Sequence, residues 1–211
     1  MKVIAINGSP RKKWNTAQLL QQALNGAQSV GAETEFINLY DLKYRGCISC
    51  FGCKRKDAVP CKCYMQDDLT PVLERVKAAD GLILGSPIYF GDVTGQMRSF
   101  LERLSFPAIT YDDYRRQLYD GQINAAFFFT MNVGNGYEEM YRPIFENNTN
   151  LLKKYGGTAE YYLATDTLQF EDYSKYQAGQ FDENAKRQRH DEQFPKDLAK
   201  AFEIGRQLVC K

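Results

Sequence analysis

Long apolar runs are absent from this 211-residue chain, and none approaches the ~18 consecutive apolar residues that a bilayer crossing requires. Its opening stretch, MKVIAINGSP, offers about six apolar positions before a Gly-Ser-Pro break, too few for a signal-peptide core, and it lacks a small-residue cleavage site. A cytoplasmic protein with reduced thiols is therefore expected, and structural disulfides are disfavoured. Net charge is nearly absent too. With 27 basic and 26 acidic residues the formal charge is +1, which provides no field for nucleic acid or an anionic membrane surface. Histidine occurs once, as His190 in the charged run AKRQRHDEQF, where a solvated surface position is expected, so a hydrolase built on a histidine base has little support. Neither GxGxxG nor GxxxxGK(S/T) occurs, which disfavours a tightly held dinucleotide and nucleotide hydrolysis alike.

What is present reads as one domain spanning residues 1–211, with 44% apolar residues and no internal repeat. KVIAIN (2–7), GLILGSP (81–87) and INAAFFFTMN (123–132) are short apolar runs bounded by Gly, Asn or Pro, the pattern of strands buried on both faces. ETEFINLY (33–40) alternates like an edge strand, and TAEYYLAT (158–165) makes a fifth. Between and after them, helical periodicity runs over 15–29, 69–79, 94–104, 140–155 and 193–208. Strands alternating with helices predict an α/β three-layer sandwich with a five-stranded parallel sheet of order 2-1-3-4-5. Two segments fall outside this pattern. One is a cysteine-rich insertion at 45–68, and the other is 166–191, expected to be a solvated excursion before the last helix.

In such a sheet, ligands sit beyond the carboxyl ends of the strands where strand order reverses, here between the first and third strands. NGSPRKKWNTAQLL follows the first strand and opens the first helix, whose N-terminal N–H groups and dipole suit a phosphate. Ser9, Asn15 and Thr16 add short donors and Arg11 a guanidinium. A plain strand-to-helix turn with Asn15 as N-cap is the competing reading. GSPIYFGDVTGQMRSFLERL follows the third strand and faces that loop. Pro87 and Gly91 keep its backbone irregular, while Tyr89 and Phe90 offer flat surface of the kind a planar heteroaromatic ring requires.

Together these two loops resemble the flavodoxin-like NAD(P)H-dependent FMN reductases, especially the branch containing the iron-sulfur flavoproteins, over about residues 1–132. The resemblance implies an FMN phosphate held by Ser9, Arg11, Asn15 and Thr16. It places the isoalloxazine ring against Pro87, Ile88, Tyr89, Phe90 and Gly91, with further contacts from Thr130, Asn132 and Gly134. It also implies a homodimer or homotetramer, and chemistry in which the flavin carries the hydride and no side chain is itself catalytic. Trp14 departs from the family, which more often has a small residue there.

Five of the six cysteines lie between Cys47 and Cys63. Cys47, Cys50 and Cys53 are spaced C-x2-C-x2-C, so three thiolates can converge from one loop in the three-plus-one pattern of 4Fe-4S ligation. The expected fourth ligand is Cys61, after seven intervening residues, which fits the compact motif that the resemblance to the iron-sulfur flavoproteins implies; Cys63, after nine and just ahead of an Asp-Asp pair, is the alternative, and the spacing leaves the choice open. Zinc on four of the thiols and free redox-active thiols are the other readings. Lys54, Arg55 and Lys56 are expected to lower the neighbouring thiol pKa values. Cys210 is expected to be an ordinary buried thiol. The resulting expectation is an FMN-dependent oxidoreductase, with NAD(P)H as co-substrate and a 4Fe-4S cluster. It would pass electrons from NAD(P)H or a protein donor to a small acceptor such as a quinone or free flavin. An electron-transfer protein without its own substrate and a zinc-stapled regulatory or structural module are the alternatives.

Overall fold

A computed structural model of the chain describes residues 1–134 and 136–210. The parallel strands β1 (Lys2–Asn7), β2 (Glu33–Asn38), β3 (Gly81–Tyr89), β5 (Ile123–Thr130) and β6 (Gly156–Ala164) form a sheet of order β2-β1-β3-β5-β6. That is the expected topology. The numbering shifts only because a two-residue strand, β4 (Asp92–Val93), folds back antiparallel on the end of β3. Its turn places Phe90 and Gly91 at positive φ, 50° and 84°, a primed hairpin geometry in which the Phe is strained and the Gly is not.

Side-chain alternation divides the core into two layers. Val3 and Ala5 of β1, with Ala126 and Phe128 of β5, face α1 (Asn15–Ser29) and α5 (Glu183–Cys210). Ile4 and Ile6, with Phe127 and Phe129, face α2 (Leu69–Lys77), α3 (Gly95–Ser105) and α4 (Glu138–Leu152). Phe127 and Phe129 stack at 4.1 Å, so the period-two rule turns one run of three phenylalanines toward both layers. Among the described residues no helix is long and apolar enough to cross a membrane.

The structure differs from the sequence expectations in the C-terminal third. The helix expected over 140–155 starts at Glu138 and tightens into a 3-10 turn over Lys153–Tyr155. The last helix starts at Glu183 rather than Gln193; its first turns carry charged residues and lack the apolar stripe by which a helix is read from sequence. His190 therefore lies within this helix. Its ring stacks on Phe194 at 4.9 Å, and its Nδ1 is buried without a partner, not solvated. Cys210, expected to be buried, is exposed. Finally, residues 166–176 are not a free excursion. Thr167, Leu168 and Tyr173 are buried, and this stretch lies against the start of α1.

Candidate functional site

The loops after β1 and β3 are stitched into one wall. Gly8 N donates to Gly85 O at 2.8 Å, and Ser9 N donates to Asn7 Oδ1 at 3.0 Å. Thr94, the N-cap of α3, accepts from Met97 N at 3.2 Å and donates its hydroxyl to Gly8 O at 2.7 Å. Its own N–H reaches Ser86 Oγ at 3.0 Å. One buried threonine thus caps a helix and ties the two loops together.

Beyond this wall opens a cleft of about 240 Å³ lined by Ser9, Arg11, Trp14, Asn15, Thr16, Pro87, Ile88, Tyr89, Thr130, Met131, Asn132, Thr167 and Gln169. Nine of the twelve residues expected to hold a flavin line it: Ser9, Arg11, Asn15, Thr16, Pro87, Ile88, Tyr89, Thr130 and Asn132. Phe90, Gly91 and Gly134 do not. Phe90 stands fully exposed at the hairpin tip, and Gly134 lies beside Asp166. Met131, Thr167 and Gln169 were not anticipated. The last two lie in the segment after β6, and the sequence held a signal for them: a loop leaving the carboxyl end of a parallel strand arrives on the ligand side.

The N-terminus of α1 fits an anion. Its N-cap is Trp14, whose side chain has no oxygen to offer and makes no capping bond, and the first turn carries no acid. The leading N–H groups therefore face the cleft without an internal acceptor. Asn15 does not cap the helix. Its Nδ2 donates to Leu168 O at 2.9 Å, and Trp14 Nε1 donates to the same carbonyl at 3.1 Å. The large residue at position 14 thus pins the segment after β6, and the Arg11 guanidinium lies 4.7 Å from its ring centre. Ser9 Oγ accepts from Arg11 N at 3.1 Å, which leaves its own proton to donate. Thr16 and Thr130 share one hydroxyl bond at 2.8 Å, so one of their two protons is likewise left for a ligand.

At the other end, the Asn132 amide is oriented by Lys186. The buried ammonium donates to Asn132 Oδ1 at 2.6 Å and Asn132 O at 3.1 Å, and pairs with Asp166. With its oxygen so engaged, Asn132 turns Nδ2 away as a donor. Tyr89 is 44% exposed, and burial first, then the Tyr40 phenol, raises its pKa against the opposing charge of Arg11, so it stays a protonated donor.

A second constellation lies on the α3 side. Cys47, Cys50, Cys53 and Cys63 line one closed hollow together with Phe51, Glu102, Arg103 and Phe106. Its free volume is only about 10 Å³. Cys61 stands apart. It is 6% exposed, holds φ at 56° and packs in the core layer of α2. The expected lowering of the thiol pKa values is corrected at Cys53, where burial raises the value and Lys54 offsets it only in part. Lys54 instead fastens the loop, donating to Phe106 O and, at 2.6 Å, to Ile109 O, while Arg55 pairs with Asp57.

Comparison with known proteins now decides the family, because residues 1–154 match that of the NADPH-dependent FMN reductases. The chain belongs to that family. It is 47% identical over 103 residues to an iron-sulfur flavoprotein of Methanocaldococcus jannaschii, a match covering 49% of this chain and 51% of that one. It is 39% identical over 103 residues to an iron-sulfur flavoprotein of Archaeoglobus fulgidus, covering 49% and 48%. The chain thus spans about half the length of the curated relatives it matches. Among solved structures, an NAD(P)H:quinone oxidoreductase from Methanothermobacter marburgensis superposes with a TM-score of 0.68 at 17% identity, covering 99% of this chain and 98% of that one. At that identity the likeness concerns the fold, which is flavodoxin-like. The family is thus shown by residues 1–154, and the likeness to iron-sulfur flavoproteins extends over about half of the chain.

Proposed function

We propose that the chain is an FMN-dependent oxidoreductase that accepts electrons from NAD(P)H or a protein donor and passes them to a small acceptor such as a quinone or free flavin. The observation that carries this reading is the joining of two features in one cleft. An uncapped, acid-free helix start lies at one end, and a strand-end wall of Pro87, Ile88 and Tyr89 at the other. The first favours a phosphate and the second a flat ring. FMN, when bound, supplies hydride acceptance and electron release. The chain's own residues hold and screen it. Ser9, Thr16 and the first-turn N–H groups would receive the phosphate, and Arg11 would add charge. The Asn132 amide and Tyr89 hydroxyl would donate along the ring, and Trp14 with the Leu168 carbonyl would shut the phosphate end from water.

Arg11→Ala is expected to weaken FMN binding by about 1.5–3 kcal/mol, roughly 10- to 100-fold in Kd, because a charge-assisted contact is lost without a fold change. Fluorescence titration of the apoprotein with FMN measures this, and an unaltered Kd would put the phosphate elsewhere. The reductase activity itself is tested by anaerobic purification followed by steady-state oxidation of NADH and NADPH with a quinone acceptor. A flavin spectrum with turnover on either nucleotide is expected. A flavin spectrum with negligible turnover on both would favour the second reading, an electron-transfer protein without a small-molecule substrate.

That second reading draws on the cysteine hollow. We assign a 4Fe-4S cluster to Cys47, Cys50, Cys53 and Cys63, which would divide the flavin's electron pair into single steps. Among the described residues no three Cys, His, Asp or Glu side chains are grouped closely enough to ligate one ion. A homodimer or homotetramer is part of the same proposal, and Phe90, bare beside the cleft, is a surface that a second copy would cover.

A further inference from the structure

Arg103 is a charged side chain taken completely out of water, at 0% exposure, in the last turn of α3. Burying a guanidinium is unfavourable unless its donors are met, and here they are met by an unusual set. Nη1 and Nη2 pair with the two oxygens of Asp67 at 2.7 and 3.1 Å. Nη1 also reaches Arg45 O at 3.1 Å. Nε donates to Cys63 Sγ at 2.9 Å. Arg45 and Asp67 stand at the two ends of the cysteine-rich insertion, so one guanidinium closes the neck of the loop and, with its remaining edge, grips one of its sulfurs. The residue before it contributes similarly, since Glu102 accepts the Cys47 N–H at 3.0 Å.

A neck clamp alone needs the Asp67 and Arg45 contacts and nothing more. The Nε–H aimed at a cysteine sulfur is surplus to that task, and it is directed by a carboxylate that fixes the guanidinium plane. Hydrogen bonds to ligating sulfurs, together with burial and net charge, are what set the potentials of iron-sulfur centres. A fixed, desolvated positive charge stabilises the form carrying one more electron, and a low-dielectric surround strengthens the effect. We propose that Arg103 is a positioning residue for the Cys63 sulfur. Asp67 locks it, and it raises the reduction potential of the cluster held by Cys47, Cys50, Cys53 and Cys63. The proposal rests on the cluster assignment made above and deepens it. With the cluster bound, one electron would pass to it from the reduced flavin, and no bond to Arg103 would form or break. The guanidinium stays charged throughout, as its pKa is far above the working range.

The test uses the full chain with its flavin, reconstituted anaerobically with iron and sulfide, as wild type, Arg103→Lys and the double variant Arg103→Met/Asp67→Asn. The lysine variant keeps the charge and an ion pair but loses the Nε donor. The double variant removes both charges, so no lone carboxylate is left buried. Iron and sulfide content, flavin content and the midpoint potentials of both centres are read by spectroscopic redox titration. The expected result is a cluster potential more negative in the double variant, by at least a tenfold bias in the one-electron equilibrium, about 59 mV. A smaller shift in the same direction is expected in the lysine variant, and an unmoved flavin potential in both. A purely structural clamp would lower cluster content or stability without moving the potential. Cluster-loaded variants with the wild-type potential would therefore overturn the proposal while leaving the cluster assignment intact. A wild type that takes up no iron under these conditions would overturn both.

Discussion

Gly205→Ala is expected to destabilise the protein by about 3 kcal/mol and lower its melting temperature by roughly 6–12 °C. The cause is the crossing of α1 and α5. A Cβ built on Gly205 would lie 1.8 Å from Ala23 O, and one on Gly26 would lie 1.9 Å from Phe202 O. Each obstacle is backbone, so no side-chain rotation can relieve it and the two helices must part. Parting them strips contact from Leu19, Leu20, Ala23 and Ala27 on one side and from Ala201, Ile204 and Leu208 on the other. It also tilts α1, whose first turn is the proposed phosphate seat, so FMN affinity should fall together with stability. Gly95→Ala is the matched control. Its Cβ meets nothing within 4 Å at the first position of α3, and a neutral or slightly stabilising result is expected. Thermal unfolding followed by circular dichroism separates the two, and a Gly205→Ala melting point within 2 °C of wild type, on the order of the shift from 1 kcal/mol, would refute the close-crossing argument.

Cys63→Ala is expected to reduce the iron retained after anaerobic reconstitution by tenfold or more, while Cys61→Ala keeps it near the wild-type level. Metal affinity in such sites depends on the complete ligand set, and the loss of one thiolate removes a bond that no neighbour replaces. The two cysteines lie two positions apart, yet the chain sends them to different places. Positive φ at Cys61 turns its side chain into the layer formed with α2, where burial raises the thiol pKa against the opposing charge of Lys77. Cys63 emerges on the hollow with Cys47, Cys50 and Cys53, in reach of Arg103. Cys61→Ala costs a small cavity, so its signature is a modest drop in stability with the cluster spectrum preserved. The reverse pattern, iron lost from Cys61→Ala and kept by Cys63→Ala, would return the assignment to the sequence spacing.

These two cases mark where the sequence was legible. Lys2–Asn7 reads as a central parallel strand because both faces are apolar, and Glu33–Asn38 as an edge because one is not. The extent of α1, Asn15–Ser29, followed from the helical period in the same way. Legibility failed where a segment's partner is distant in the chain. Residues 166–176 are polar enough to suggest solvent, but Leu168 O serves as acceptor for two donors more than 150 residues away. The first turns of α5 carry no apolar stripe, so nothing local announced a helix there.

The sequence by itself determined the alternation of strand and helix, the reversal point between β1 and β3, and the two loops that must meet there. All of these depend on period and order, which are local properties of the chain. Only the tertiary structure decided that Cys63 lines one hollow with Cys47, Cys50 and Cys53, that Arg103 holds its sulfur, and that residues after β6 complete the cleft. Those outcomes depend on where side chains far apart in sequence come to rest. Close packing admits one such arrangement, and composition carries no record of it.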